Sequence, residues 1–437
     1  MAGPVREKSP SVAARRSRFV VRLRPVWNNS FIRVPGTMAF MTVITAIVPT
    51  FNRANFLREA IDSLTAQTLP VEEILVWDDG STDSTPEVVK SLSGPIRYFR
   101  SANGGKARAL NAAIREARGD LIWICDDDDI LFPDAAERLV AALTRNPNVG
   151  VAAGSYRRFR DDPLSGERIE SGPGYWPDLS QGSVLRHLLE DIFLFQNATL
   201  VRRALYDKVG PFREDLARSI DYDMIVRLAL HAPFAVIEEP LFKQRKHDGA
   251  RGPAAARHAA AQSDAVWKDA DRALFAPFRE SIPLSVYAGL FDGALAQRAG
   301  RLQRGCVFAR RTDWESALED FEAAAMLSPD IALSAVEVAI CRRSVAGKHG
   351  MAEALTGASR SRLGRLAGSS PLGGQIASAI ARGALWRGRA ALSSGQFAAA
   401  AQIARFVLSP TLRSRGARPG RPATPLTERA EPLQLLG

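Results

Sequence analysis

Leu121-Ile122-Trp123-Ile124-Cys125-Asp126-Asp127-Asp128-Asp129 is the stretch on which the fold turns. Five apolar residues in an unbroken run read as a buried strand, so the four carboxylates emerge at its C-terminal end. In open α/β sheets that edge is where ligands bind. Crowded carboxylates raise one another's pKa unless a cation sits among them. Hard oxygen ligands with room for water and phosphate oxygens suit Mg²⁺ or Mn²⁺. The expected cargo is therefore a metal-bound phosphorylated substrate. An acidic run taken alone is more often a solvated loop or a helix cap, and Pro133-Asp134-Ala135-Ala136-Glu137 does read as the opening of the next helix.

Working outward, strands and helices alternate. Strands are expected over Val43–Val48, Glu73–Trp77, Ile96–Phe99, Leu121–Cys125 and Val149–Ala153. Between them fall helices over Asn55–Ala66, from Pro86, over Lys106–Ala117 and over Ala135–Thr144. This alternation implies βαβ units, an α/β fold and a mostly parallel sheet. Residues 156–195, rich in Gly and Pro, read as a loop that serves as a lid or acceptor loop. Helical patterning resumes at Ala198–Val209 and Tyr222–Leu230.

After about residue 254 the chain turns Ala-, Leu- and Arg-rich, and an all-α region is expected. Trp314-Glu315-Ser316-Ala317 with Phe321, Ala324 and Pro329 fits the second helix of a tetratricopeptide-like repeat. Phe397 to Pro410 fits it less well, and a generic helical bundle explains both. The default role of such a region is to bind a protein partner.

The 437 residues suggest two to three domains, and 46% apolar with 24% charged residues is ordinary for a globular chain. Cys125, Cys306 and Cys341 lie far apart with no CxxC, which excludes a disulfide framework and a zinc ribbon and points to a reducing, cytoplasmic setting. No apolar stretch reaches the ~20 residues of a membrane-spanning helix.

The net charge of +11 sits mainly in the tails: residues 1–41 hold eight Arg/Lys against Glu7, and 411–437 hold five Arg against Glu428 and Glu431. Such tails suit peripheral contact with an anionic membrane at its inner face, and no nucleic-acid partner is expected. The first tail reads more simply as an unstructured extension, or as a start assigned upstream of Met38 or Met41. Four segments result: 1–40, a basic disordered extension; 41–253, the α/β domain; 254–410, the helical domain; and 411–437, a disordered basic tail.

Three further segments fall at strand ends of the same sheet. Pro49-Thr50-Phe51-Asn52-Arg53 ends the first strand where a dinucleotide fold would carry G-x-G-x-x-G, and no glycine is present. That also weighs against nucleotidyltransferases that open on a glycine-rich loop. Asp78-Asp79-Gly80-Ser81 ends the second strand, where carboxylates can accept from a base N–H or ribose hydroxyls, or can merely form a turn. Asn103-Gly104-Gly105-Lys106-Ala107-Arg108 combines glycines that let backbone approach a ligand with cations that offset phosphate charge. It is not a P-loop.

In this order the segments resemble the family 2 glycosyltransferases with a GT-A fold, over Thr42 to about Gly252. The resemblance implies a nucleotide-sugar-binding sheet flanked by helices. Pro49, Thr50 and Asn52 match the start of the nucleotide pocket. Asp79, with Asp78, matches the acidic pair that reads the base, uracil above guanine or thymine. Lys106, Arg108 and Asn111 match the segment lining that pocket. Asp126 and Asp128 match the D-x-D motif, the first near the ribose and the second holding a divalent cation, Mg²⁺ or Mn²⁺, on the diphosphate. Asp129 and Pro133 extend the match.

Asp221, in Ser219-Ile220-Asp221-Tyr222-Asp223, takes the position of the general base, although Ile220 stands where the family has Glu. Asp223 is the alternative, and on one helix the two point different ways. His247 matches a late metal-reaching His. The implied activity is transfer of a single sugar, with inversion, from a nucleoside-diphosphate sugar to an acceptor hydroxyl of unknown identity, in the making of cell-surface glycans. The alternative is a degenerate domain serving as a scaffold, which loss of Asp128 or of the base would favour; both are present.

Overall fold

The computed structural model describes residues 43–246, 263–355, 357–409, 412 and 421–431. Thr42–Gly437 is one compact unit. Its sheet region runs β1 (Ile44–Thr50), α1 (Ala54–Thr65), β2 (Glu73–Asp78), α2 (Thr85–Lys90), β3 (Ile96–Arg100), α3 (Lys106–Glu116) and β4 (Leu121–Ile124). It continues with β5 (Ile130–Leu131), α4 (Ala135–Arg145), β6 (Val151–Asp161), β7 (Arg168–Pro173) and α5 (Val184–Glu190). It closes with β8 (Thr199–Arg202), α6 (Arg203–Val209), α7 (Ile220–His231) and β9 (Phe234–Arg245).

Nine strands form one mixed sheet in the order β3-β2-β1-β4-β8-β6-β9-β5, with β7 added on β6. The β3-β2-β1-β4 half is parallel. Every residue of β1 and β4 is buried, as expected of strands covered on both faces. Helix α1 buries Leu57, Ala60, Ile61 and Leu64, one face of a regular helix. The C-terminal ends of β1, β2 and β4 thus share an edge, and the acidic run lies on it.

The second half departs from expectation. Thr199–Arg202, expected inside a helix, is a strand antiparallel to both β4 and β6. Its β-branched Thr199 and Val201 and their buried neighbours suit a central strand, and tertiary pairing overrides the helical pattern. Residues 156–195, read as a loop, instead carry the end of β6, the hairpin partner β7 and α5. β9 pairs parallel with β6 and had no counterpart in the sequence reading.

The region after residue 262 is helical, as expected: α8 (Ser263–Phe275), α9 (Phe278–Ser281), α10 (Leu284–Ala288), β10 (Phe291–Asp292), α11 (Ala296–Arg310), α12 (Trp314–Ala325) and α13 (Ala335–Arg343). It continues through α14 (Ala352–Leu355), α15 (Gly357–Ser369), α16 (Pro371–Gly383), α17 (Leu385–Ser393) and α18 (Phe397–Val407), then β11 (Thr427–Glu428). Arg298 and Glu337, both buried, form a bidentate pair at 2.6 and 2.9 Å between α11 and α13. Glu337 also closes a capping box with Ser334.

Sheet and helical regions share one core. Leu188 and Leu189 of α5 and Tyr222, Ile225 and Val226 of α7 pack in the same cluster as Phe275, Val307, Phe308 and Phe321. Residues 421–431 correct the expectation of a disordered tail over 411–437. Thr427 and Glu428 pair with β10, and Glu428 bridges Arg186 of α5 at 3.0 Å and Arg343 of α13 at 3.1 Å. Among the described residues no helix is long and apolar enough to cross a membrane.

Candidate active site

The strand-end loops are knitted together before any ligand is considered. Asn52 stands in the left-handed region with φ 53°. Its side-chain oxygen accepts from the Thr82 N–H at 2.7 Å, and its own N–H donates to Ser81 Oγ at 2.9 Å. Gly80 has φ 84°, and a Cβ there would lie 2.8 Å from the Asn103 nitrogen, so only glycine fits. Asp79, 5% exposed, accepts from the Gly104 and Gly105 N–H groups, each at 2.8 Å. Burial pushes the Asp79 pKa up, and these two amides offset part of that rise. Each carboxylate oxygen keeps a second lone pair for a ligand.

Two of the expected nucleotide contacts, Asp78 and Asn111, are hydrogen-bonded within the chain. Asp78 is fully buried; its carboxylate accepts from the Ser81 N–H at 2.7 Å and from the Tyr98 hydroxyl at 2.6 Å. It shapes the turn. Asn111 holds the chain after α6: it donates to the Phe212 carbonyl at 2.9 Å and to Glu214 at 3.0 Å, and accepts from the Phe212 N–H at 2.7 Å. That spends its amide on structure. Pro49 and Thr50 lie in β1 opposite Trp77 and Asp78, and Arg108 is exposed beside Gly104.

The acidic run splits by role. Asp129 is buried; its carboxylate accepts from the Asn197 amide at 3.1 Å and from the Arg245 N–H at 2.7 Å. Burial and the charges of Asp128 and Asp126 hold its pKa well above the carboxylate range. It anchors the loop to β9. Asp127 is pushed up to about 7 by burial and by the charge of Asp128. Asp126 and Asp128 are half-buried. Asp128 lies 3.9 Å from Arg53, whose guanidinium stacks on Phe56.

Asp126 is ion-paired with Lys106, the first residue of α3. Burial works against the Lys106 charge, but the carboxylates of Asp126 and Asp221 outweigh it and hold its pKa above the ordinary lysine value. Asp221 sits in the first turn of α7, where the helix dipole favours a carboxylate. Its pKa is raised by burial, a rise that Lys106 partly offsets and Asp126 adds to. Asp223, the alternative base, is fully buried and paired with Arg227 at 2.7 Å and Arg213 at 3.6 Å. The two do point different ways, and Asp221 is the one that borders a cleft of about 630 Å³. His247 lies outside the described residues.

The carboxylates fit a divalent cation in a limited sense. Among the described residues no group of three His, Cys, Asp or Glu could hold a metal. Half-buried Asp126 and Asp128 offer one or two oxygen ligands, which is what Mg²⁺ needs when substrate phosphates and water complete its shell.

Residues 45–210 match the family described as glycosyl transferase family 2. An uncharacterised glycosyltransferase of Rickettsia felis is 33% identical over 215 residues, 48% of this chain and 35% of the relative. One of Rickettsia typhi is 31% identical over 214 residues, 48% of this chain and 65% of the relative. The hyaluronan synthase of Pasteurella multocida is 28% identical over 229 residues, 52% of this chain and 22% of that enzyme. The chain thus spans between about a fifth and two thirds of the length of these relatives. Among solved structures, S. aureus TarS in complex with UDP-GlcNAc aligns with TM-score 0.47 at 16% identity, over 73% of this chain and 88% of that one.

Several site residues escaped the sequence reading. Arg245 donates through Nε to the Asp128 carbonyl at 2.9 Å and so fixes the acidic loop from β9. Arg158, Trp267, Lys268 and His349 line the cleft at Asp221 from positions up to 128 residues away from it in sequence. No local pattern marks them.

Proposed function

We propose that the protein is a metal-dependent, inverting glycosyltransferase that moves one sugar from a nucleoside-diphosphate sugar, with uridine the favoured base, to an acceptor hydroxyl. One observation carries this reading: Lys106 is paired with Asp126 at the donor edge while its charge acts on Asp221 at the acceptor cleft. A single cation between the two carboxylates suits a site where diphosphate leaves on one side and a hydroxyl attacks from the other.

Asp221 takes the proton from the acceptor hydroxyl as its oxygen bonds to the anomeric carbon. The bond from that carbon to the diphosphate oxygen breaks, and the electron pair leaves with the nucleoside diphosphate. Lys106 and Arg108 stabilise the charge that develops there. Asp79 holds Gly104 and Gly105, which admit the backbone to the nucleotide, with Pro49, Thr50 and Asn52 forming its other wall. Mg²⁺ or Mn²⁺, held by Asp126 and Asp128, would neutralise diphosphate charge when bound. His247 belongs to this proposal as a further metal contact, and the helical region as a partner-binding surface.

Calorimetric titration with UDP, GDP, TDP and CDP, first with Mn²⁺ and then with EDTA, tests the reading. Tight binding of one diphosphate that EDTA abolishes is the expected result. Folded protein that binds none of them would overturn it and favour a scaffold.

A further inference from the structure

The hairpin of α17 and α18 turns apolar side chains both inward and outward. Gly388 faces Ile403 across it, a Cβ there lying 3.4 Å from the Ile403 side chain, so the two helices run antiparallel. Ala391 of α17 and Ala400, Ile403 and Phe406 of α18 are buried. Nine large apolar side chains are exposed among the described residues, and five of them, Leu385, Trp386, Leu392, Phe397 and Leu408, lie on this hairpin. Helical spacing gathers them. Phe397, Ala401, Ala404 and Leu408 form one exposed stripe along α18, and Leu385 and Leu392, two turns apart, share a face of α17. Phe397 opens α18 as Trp314 opens α12, yet Trp314 is 2% exposed and Phe397 70%. Where helix pairs stack, the outermost pair needs a polar outer face to stay soluble, and this one is apolar.

The charge around this face has one sign. Residues 354–427 contain eleven arginines and no Asp, Glu or Lys. Arg362 and Arg421 are paired with Glu322 and Asp330. Arg382, Arg389 and Arg405 are exposed, and among the described residues their side chains make no ion pair or hydrogen bond. Arg389 stands between Leu385 and Leu392 on the same face of α17, and Arg405 lies one turn before Leu408. Arg387 lies 4.6 Å from the Trp386 ring centroid and donates to the Val345 carbonyl at 2.8 Å, which holds the indole at the surface.

We propose that the α17–α18 hairpin docks on an anionic lipid bilayer. The Leu, Phe and Trp side chains enter the boundary between headgroups and acyl chains, while Arg382, Arg389 and Arg405 stay level with the lipid phosphates. A second copy of the chain fits this face less well, because like charges would meet across the contact. Nucleic acid would engage the arginines and leave the Leu and Phe side chains in water. The hairpin contributes nothing to the lining of the cleft at Asp221, so the proposal stands apart from the transferase reading.

The test is flotation of the full chain, without nucleotide, on vesicles of phosphatidylcholine alone or mixed with phosphatidylglycerol. Binding about tenfold or more tighter to the anionic vesicles is expected, and it should weaken as salt rises. The basic segments at both ends of the chain favour such vesicles too, so variants of the hairpin decide. Arg389→Glu with Arg405→Glu is expected to weaken binding to anionic vesicles about tenfold. Trp386→Ser with Phe397→Ser is expected to weaken it by a similar factor, and the melting temperature of both double variants should hold. Affinity that neither double variant changes overturns the proposal, as does equal binding to both lipid compositions. A dimer that Trp386→Ser with Phe397→Ser abolishes, in protein that ignores vesicles, overturns it in favour of a second copy. Duplex DNA bound through Arg389 and Arg405, again without vesicle binding, overturns it in favour of nucleic acid.

Discussion

The Arg311 guanidinium donates to the Tyr222 hydroxyl at 2.5 Å, one residue along α7 from Asp221. The same hydroxyl donates to the Leu188 carbonyl at 2.7 Å, and Arg311 lies 3.7 Å over the Phe275 ring and donates to the Glu190 carbonyl. The helical region therefore grips the helix that carries the proposed base. Tyr222→Phe leaves a buried donor and a buried carbonyl each short of a partner. It is expected to cost about 1–3 kcal/mol. Urea unfolding measures it, and an unchanged midpoint would show that the contact contributes nothing.

Asp221→Asn should lower the rate of transfer by about 10²–10⁴-fold while nucleotide affinity stays near wild type. Asp223→Asn, which breaks a buried pair with Arg227 and Arg213, should instead lower the unfolding midpoint. Rates and melts on the two variants separate base from strut; a reversal of the pattern would reassign the base.

A pH dependence follows from Asp127. Its pKa is raised from 3.8 to about 7, so across that window the folded state holds a proton that the unfolded state has released. Stability from this group is full below the window and is lost as pH rises through it. A bound cation offsets the crowding. The difference in melting temperature between wild type and Asp127→Asn should widen from pH about 5 to pH about 8 without metal, and narrow again with Mn²⁺. A difference independent of both would remove Asp127 from the carboxylate cluster's electrostatics.

Asn111→Ala should act on folding and spare the nucleotide. Its amide makes three hydrogen bonds to Phe212 and Glu214, and truncation leaves the Phe212 N–H and carbonyl exposed to an apolar gap. A loss of about 1–3 kcal/mol is expected, with UDP affinity unchanged by calorimetry. Lost affinity at unchanged stability would restore Asn111 to the nucleotide pocket.

The parallel half of the sheet was legible because its strands are continuous apolar runs ending in chemistry, as Leu121 to Asp129 shows. Thr199–Arg202 was not, since four residues adjoining a helix carry too little period to outvote their neighbours. Asp126 and Lys106 are both picked out by local motifs, and the fold pairs them. Asp78 and Asn111 matched motifs equally well, yet the fold spends them on Tyr98, Ser81 and Phe212. Which polar group faces a ligand depends on contacts such as that between Asn111 and Phe212, 101 residues apart. The cleft wall from Trp267 to His349 is set by docking of one region on another, which periodicity does not encode.

The common core running from Leu188 and Val226 to Phe308 and Phe321 has a practical meaning for anyone building hybrids. A chimera joined at the end of β9 would pair the inner faces of α5 and α7 with a stranger's helices and leave mismatched volumes between them. The exchangeable cassette is therefore not the C-terminal half. It is that half together with α5 and α7, and a graft that alters acceptor choice has to carry the proposed base along with it.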